Sequence, residues 1–134
     1  MARRVGKAFV HLRKAITEKD PTTLASINKI IATSDYDGLE KALNEHDVSL
    51  YFSESPTNPY LRCVDVERIS NLCKPKGCLV CIDATFATPI NSRALDSGAA
   101  LGLHSASKSF GGPTDVLAGG SHGNEEAVDR SRDV

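Results

Sequence analysis

The apolar positions in the middle of the chain alternate between continuous runs of strand length and a repeat of helical spacing. Three segments of strand length stand out: residues 48–52 are rich in β-branched and aromatic side chains, residues 78–82 are continuously apolar, and residues 100–104 begin with an apolar run that ends at Leu103. Residues 64–76 lie between the first two and repeat apolar side chains at helical spacing, with Gly77 as a natural helix stop. Continuous apolar runs are typical of strands covered on both faces. The alternation predicts an α/β fold, in which helices flank a mostly parallel sheet and the crossovers are right-handed.

The segment before these runs gives weaker signals. Residues 1–19 carry five basic side chains before the first acid, Glu18, and repeat apolar residues at helical spacing. We therefore predict a basic amphipathic helix that Pro21 ends. An organelle-targeting peptide and a membrane-surface helix share this pattern, but a solvated helix face is the commoner use of such charges. Residues 25–32 fit either a strand or the start of a helix.

Local signals place the remaining elements. Ser34 and Asp37 have the spacing of a capping box, which predicts a helix over residues 38–45. Residues 89–97 predict a turn and a short helix that stop at Gly98. Residues 115–118 predict a fourth strand, and the polar residues after it predict a disordered or lightly helical tail. These features divide the chain into a divergent basic segment (1–34), a partial large domain (35–120) and a polar tail (121–134).

The composition fits one ordinary domain and excludes two classes of partner. The chain has 134 residues, and its 16 basic and 17 acidic side chains leave a net charge of -1. A chain with so little net charge does not attract nucleic acid or an anionic membrane electrostatically. No apolar stretch approaches the ~20 residues that a helix needs to span a bilayer. The four cysteines (Cys63, Cys73, Cys78 and Cys81) lie in apolar patterns, so we expect small buried hydrophobes in a reducing compartment and no secretion.

Candidate chemistry follows two of the apolar runs. Asp83 comes directly after the second, and Ser105, Ser107 and Lys108 come after the third. If these strands are parallel neighbours, the side chains emerge at one sheet edge, where open α/β sheets place their ligands. An acid facing an amine, with hydroxyls beside the amine, suits a cofactor that has an aldehyde and a phosphate. Pyridoxal 5′-phosphate (PLP) is such a cofactor.

Each of these residues also has an ordinary structural interpretation. Asp83 could pair with a pyridinium nitrogen, or it could cap the turn that follows its strand. Lys108 needs desolvated surroundings to react with an aldehyde, whereas most lysines are exposed. The serine hydroxyls could hold a phosphate or form turns. Asn58, in a loop with two prolines, could reach the cofactor ring or be a turn residue.

Two other motifs occur without the elements they need. Ser105 and Lys108 match the S-x-x-K of penicillin-recognising hydrolases, but the S-D-N and K-T-G strings are missing from the sequence. Cys73, Cys78 and Cys81 match an iron–sulfur spacing, but no cysteine follows Cys81. The four histidines show no close paired spacing. We therefore predict no metal site.

Three strings carry a resemblance to a known family. They are residues 54–65 (ESPTNPYLRCVD), 83–89 (DATFATP) and 104–108 (HSASK), the last followed by Gly111 and Gly112. The combination resembles the PLP-dependent enzymes of Cys/Met metabolism, and the run at 61–65 is similar to plant-type cystathionine γ-synthases. The resemblance covers residues 48–119 well and 35–47 in part, while residues 1–34 and 121–134 match poorly. Ser107 departs from the family pattern, which usually has threonine there.

The resemblance implies a segment of a fold-type-I PLP-dependent large domain and a set of site residues. Its implied roles are Lys108 as the lysine that bonds the cofactor, Asp83 as the ring-nitrogen partner, Ser105 and Ser107 as phosphate ligands, Asn58 beside the ring hydroxyl and Thr85 packed on the ring. The implied reaction joins cysteine to an activated homoserine. A cystathionine β- or γ-lyase activity stays open.

The resemblance also bears on partners and location. It implies small-molecule amino-acid substrates, and a homo-oligomer in the cytoplasm or a plastid. Family chains are several times longer, so we expect this to be the middle of a large domain. The alternative is an inactive remnant that associates with full-length relatives.

Overall fold

The computed structural model describes residues 7–12, 28–32, 34–109, 118–125 and 127–128. Strands of this part form one six-stranded sheet in the order β2-β1-β3-β4-β5-β6. The strands are β1 Lys7–Leu12, β2 Asn28–Ala32, β3 Val48–Glu54, β4 Leu79–Asp83, β5 Leu101–Ser105 and β6 Gly119–Gly123. The helices are α1 Tyr36–Glu45, α2 Val66–Cys73, α3 Thr88–Asn91 and α4 Ala106–Ser109, and a 3₁₀ turn spans Lys74–Lys76. None of the described helices is long and apolar enough to cross a membrane.

The centre of the sheet is parallel and its outer parts are antiparallel. Strands β3, β4 and β5 run parallel, with Glu54 opposite Asp83 and Asp83 opposite Leu103. Strand β1 pairs antiparallel with both β2 and β3, and β6 pairs antiparallel with β5. The predicted α/β class is confirmed, and the sheet is mixed because of these outer pairs. The carboxyl ends of β3, β4 and β5 therefore share one edge.

Helices α1 and α2 cover one face of the sheet. Leu39 of α1 and Ile69 of α2 pack in one buried cluster with Tyr51, Val80 and Ile82 of the strands. Each fully buried aliphatic side chain contributes about 1.5–3 kcal/mol. A smaller cluster around Cys81 and Leu101 includes residues of the opposite face, as the two-residue period of strands requires.

Aspartates begin the two longer helices. Asp35 Oδ1 accepts a hydrogen bond from the Gly38 N–H at 2.8 Å, and Asp65 Oδ1 accepts one from the Arg68 N–H at 2.9 Å. Such N-caps satisfy donors that the first helical turn leaves unpaired. The capping box predicted from Ser34 is wrong, because Asp35 is the capping residue and α1 begins at Tyr36.

The structure corrects the prediction for the first segment. Lys7–Leu12 form a strand rather than part of a helix. This strand lies between two partners, so its backbone hydrogen bonds are made by sheet pairing, which overrides a helical periodicity. The other residues of the predicted 1–19 helix lie outside the described ones. Of the two options for residues 25–32, the described part is a strand, Asn28–Ala32.

The predicted fourth strand and tail also differ from the structure. Residues 115–117 lie outside the described residues, and Ala118 precedes a strand that runs from Gly119 to Gly123. Three residues assigned to the polar tail, 121–123, therefore belong to the sheet. Beyond them, Ala127 is buried against the smaller cluster.

Candidate functional site

A cavity of about 150 Å³ opens where β3, β4 and β5 end. Its lining residues are Glu54, Pro56, Asn58, Asp83, Thr85, Phe86, Ser105 and Lys108. Five of the six residues singled out in the sequence line this cavity: Asn58, Asp83, Thr85, Ser105 and Lys108. They come from three separate segments, and the parallel pairing of the strands brings them to one place. Ser107 does not line it.

A short hydrogen-bond chain fixes the ends of β4 and β5. The Thr85 N–H donates to Asp83 Oδ1 at 3.0 Å, and the Ser105 N–H donates to Thr85 Oγ1 at 3.0 Å. Asp83 thus caps the turn after its strand, one of the two roles expected for it. Its other oxygen, Oδ2, has no hydrogen-bond partner within the described ranges, so the carboxylate can still accept a bond from a ligand in the cavity.

The proline-containing loop after β3 is tied to the same edge. The Asn58 N–H donates to Glu54 Oε2 at 3.2 Å, and the Ser55 N–H donates to the Asp83 carbonyl at 2.9 Å. Thr57 closes the loop, because its N–H bonds the Arg62 carbonyl at 2.9 Å. Glu54 was missed as a site residue. The predicted strand ended at residue 52, whereas β3 continues to Glu54 and sets it opposite Asp83.

Ser107 binds the neighbouring strand instead of facing the cavity. Its Oγ accepts a hydrogen bond from the Ala118 N–H at 2.7 Å and donates to the Ala118 carbonyl at 3.1 Å. The Ser107 N–H also bonds that carbonyl, at 3.0 Å. These bonds connect α4 to the start of β6. A phosphate accepts hydrogen bonds, so it could bind this hydroxyl only by displacing its bond to the Ala118 carbonyl.

Lys108 supplies the one cation among the described residues that line the cavity, which also include the acids Glu54 and Asp83. It lies in α4, and its side chain is exposed. A lysine that attacks a carbonyl carbon needs a desolvated or cationic neighbourhood. The described residues position the amine at the cavity but do not enclose it.

Two histidines stack beside this site, a feature that their sequence spacing did not reveal. The rings of His104 and His122 lie 5.0 Å apart at 15°. Both ring nitrogens of His104 are buried, and neither makes a hydrogen bond of good geometry with the described residues. Burial lowers the pKa of His104, and the nearby His122 lowers it further, although the Ala84 backbone lies close enough to oppose the shift of this pKa. Gly102 makes room for the stack, since a Cβ there would collide with the His122 ring.

Comparisons with known proteins point to one group of enzymes. The sequence model of the Cys/Met metabolism PLP-dependent enzyme family matches residues 14–133. Cystathionine gamma-synthase 1, chloroplastic, of Arabidopsis thaliana is 54% identical over 105 residues, which cover 78% of this chain and 19% of the relative. The Nicotiana tabacum protein of the same name is 55% identical over 105 residues, with the same shares. A cystathionine beta-lyase of Lactococcus lactis is 38% identical over 104 residues, 78% of this chain and 27% of the relative.

Solved structures agree with these sequence matches. A cystathionine gamma-lyase from Lactobacillus plantarum, complexed with L-serine, gives a TM-score of 0.67 at 34% identity, over 75% of this chain and 26% of that one. A cystathionine gamma synthase from Xanthomonas oryzae pv. oryzae, in complex with aminoacrylate and cysteine, gives a TM-score of 0.64 at 34% identity. The match covers 70% of this chain and 24% of that one.

The matches also settle how much of the chain is related. The chain spans about a fifth to a quarter of the length of these relatives. The family model also includes residues 14–34 and 121–133, which the strings in the sequence left outside the resemblance.

Proposed function

Because the chain belongs to the Cys/Met metabolism PLP-dependent enzyme family, we propose that it supplies the cofactor-contacting part of a cystathionine γ-synthase-like enzyme. The observation that carries the proposal is the cavity at the sheet edge, where Asn58, Asp83, Thr85, Ser105 and Lys108 meet. Their positions are those of the family motifs in the sequence.

The proposed reaction is a γ-replacement. The sulfur of cysteine bonds to the γ-carbon of an activated homoserine, and the activating group leaves with its oxygen. The identity to plant proteins named as synthases, 54–55%, exceeds the 38% to a protein named as a β-lyase. A lyase reaction on cystathionine is the second candidate, because it would use the same cofactor contacts and relatives with lyase names share the fold.

The donor set of the cavity fits the ring end of PLP. Asp83 Oδ2, which has no partner within the described ranges, can accept a hydrogen bond from a protonated ring nitrogen. Lys108 offers the amine that the cofactor's aldehyde requires, and the Ser105 hydroxyl offers a donor for its phosphate. When bound, PLP supplies an electron sink for carbanions of amino-acid substrates.

The residues of this chain then have separate tasks. Asp83 keeps a proton on the ring nitrogen, and Thr85 holds Asp83 in place through its N–H. The Lys108 amine would move protons between substrate carbons. Glu54 fixes Asn58 by accepting its N–H. We propose that Ser107 binds the phosphate only when the hydrogen bond from its hydroxyl to the Ala118 carbonyl is broken.

The described residues enclose only part of such a ligand. The cavity of about 150 Å³ is below the roughly 300–1,000 Å³ of complete ligand sites, and Lys108 is exposed. We therefore expect weak cofactor binding by these residues alone, and stronger binding where a second copy or a longer family member completes the site. We propose that the protein works on amino-acid substrates in a plastid or the cytoplasm. The word "chloroplastic" in the names of two plant relatives favours the plastid.

Borohydride reduction of the chain with PLP tests the site. We expect a phosphopyridoxyl group on Lys108 in excess of any on the exposed Lys41 and Lys74, measured by peptide mass mapping. Lys108→Ala should abolish the selective label, and Lys74→Ala should leave it unchanged. Labelling spread evenly over the exposed lysines would contradict the proposed cofactor site.

A second experiment separates an active protein from an inactive partner of longer relatives. Turnover of an activated homoserine with cysteine, measured on the isolated chain, would exclude the inactive remnant. Co-purification with a full-length relative, without turnover by the isolated chain, would support it.

A further inference from the structure

The end of α2 brings two cysteines together through a defined backbone motif. The Cys78 N–H bonds the Cys73 carbonyl at 3.2 Å, and the Gly77 N–H bonds the Lys74 carbonyl at 3.1 Å. Gly77 has the left-handed conformation, with φ 64° and ψ 20°. This pair of bonds around a left-handed glycine is a Schellman motif, in which the first and last residues commonly make a side-chain contact. Here those two residues are Cys73 and Cys78.

Both side chains are free thiols, and both belong to the same buried cluster. The neighbouring Cys78 thiol, together with burial, raises the pKa of Cys73. The Cys78 thiol also approaches the Leu79 carbonyl at 3.5 Å. Because the Schellman motif brings the backbones of these two residues together, a bond between their sulfur atoms needs little movement of the backbone.

The two thiols differ in access from solvent. Cys73 is fully buried, whereas Cys78 is 5% exposed and lines a cleft of about 730 Å³. This cleft lies between α2 and the loop before β5, at the end of the sheet opposite to the candidate cofactor cavity. A small reagent in the cleft reaches Cys78 first.

We propose that Cys73 and Cys78 are a dithiol that a small-molecule disulfide oxidises to a reversible intramolecular disulfide, with Cys78 as the point of entry. The Cys78 sulfur, as thiolate, attacks the reagent, whose S–S bond breaks, and one small thiol leaves with the proton of Cys78. The Cys73 sulfur then attacks Cys78 in this mixed disulfide, and the second small thiol leaves with the proton of Cys73. The protein loses two hydrogen atoms, and the reagent is reduced to two thiols.

The remaining cysteines provide matched controls. Cys81 is as buried as Cys78, at 5% exposure, but it packs with Leu101 in the other cluster. Burial raises its pKa to about 11, and the Asp83 carboxylate adds to this. Cys63 is exposed, so it should exchange with any small disulfide but form no bond within the chain. The proposal does not depend on the proposed enzymatic function.

The disulfide would fix the start of the strand that carries the cavity acid. Cys78 immediately precedes β4, which ends at Asp83. A cross-link between Cys73 and Cys78 would join the end of α2 to this strand covalently. We therefore expect the oxidised chain to unfold at a higher urea concentration than the reduced chain.

Redox titration of the whole chain tests the proposal. The chain with Cys63→Ser is equilibrated in buffers of reduced and oxidised glutathione, quenched in acid, alkylated after denaturation and mapped by mass spectrometry. We expect loss of the free thiols of Cys73 and Cys78 together, a linked peptide lacking two hydrogen atoms, its reversal by dithiothreitol, and a free thiol at Cys81.

Two variants test the order of the steps. Cys73→Ser should trap a glutathione mixed disulfide on Cys78, whereas Cys78→Ser should leave Cys73 unmodified. Circular dichroism establishes whether each variant is folded. If either variant is not folded, the titration of the Cys63→Ser chain still decides whether Cys73 and Cys78 form a disulfide. The proposal is overturned if Cys73 and Cys78 stay free thiols in every buffer, or if Cys81 is modified as fast as Cys78.

Discussion

The two carboxylate oxygens of Asp83 have different roles, since one stabilises the turn after β4 and the other is available to a ligand in the cavity. Oδ1 accepts the Thr85 N–H at 3.0 Å, while Oδ2 has no partner in the part of the chain that is described. The turn therefore orients the carboxylate before any ligand binds, which reduces the free energy needed to arrange the site. The sequence leaves two alternatives for Asp83, a cap of the turn after its strand or a partner of the cofactor's ring nitrogen. The observed geometry allows both at once.

Replacement of Asp35 tests which residue begins α1. Asp35→Ala removes the acceptor of the Gly38 N–H, so we expect the free energy of unfolding to fall by about 1 kcal/mol. Urea denaturation followed by circular dichroism measures the change. Ser34→Ala is the control, because a capping box based on Ser34 would make that substitution the costlier one. Equal losses in the two variants would contradict the assignment of Asp35 as N-cap.

Single residues of the site differ in how far the sequence predicts them. Asp83 and Lys108 follow apolar runs, so parallel pairing alone brings them to one edge. Ser107 has the same signal, yet its hydroxyl bonds Ala118 of a segment that the sequence did not place correctly. Glu54 became visible only with the observed register. Hydrogen-bond partners depend on register to within one residue, which a hydrophobic pattern does not specify.

Among the elements, the three central strands were predictable because their segments are apolar or rich in β-branched and aromatic residues, and the β4 segment is a continuous apolar run. Strand β1 carries the opposite signal, since its segment repeats apolar residues at helical spacing among basic ones. Strand β6, Gly119–Gly123, has the sequence GGSHG and contains no large apolar side chain. Its place is set by pairing with β5, where Gly102 accommodates His122. Such strands are determined by tertiary contacts rather than by their own composition.

The pairing of β5 with β6 should weaken in acid. Burial lowers the pKa of His104 below its ordinary 6.5, His122 lowers it further, and the Asp83 carboxylate opposes the shift. Between the folded pKa and 6.5, the unfolded chain binds a proton that the folded chain excludes. Stability therefore rises with pH: the contribution of neutral His104 is complete above 6.5 and is lost as the pH falls through the folded pKa.

Urea midpoints measured at a series of pH values above and below 6.5 follow this change. We expect the midpoint of the unmodified chain to decrease with pH, and His104→Gln to show a smaller decrease. His46→Gln, at an exposed position, should keep the slope of the unmodified chain. A His104→Gln slope equal to that of the unmodified chain would refute the assignment.

At the scale of the whole molecule, the exposed apolar side chains concentrate at the edge that carries the cavity. Four large side chains remain exposed in the described residues: Tyr60, Leu61, Phe86 and Ile90, at 47%, 58%, 48% and 89%. They lie in the segments that follow β3 and β4. The two segments also line one groove, where Pro56 and Val64 meet Ala87 and Asn91. Exposed apolar side chains gathered in this way are typical of association surfaces rather than of a monomer's free surface.

This surface predicts self-association through the cavity edge. Leu61→Asn combined with Ile90→Asn should shift the chain toward the monomer in sedimentation velocity, because the apolar area that association would bury is replaced by amides. Asparagine suits position 61, where φ is 51°, since asparagine tolerates left-handed backbone better than leucine does. Lys41→Asn on α1 is the control and should leave sedimentation unchanged. If the double variant sediments like the unmodified chain while remaining folded, the oligomer uses another surface, and completion of the cavity by a second copy loses its support.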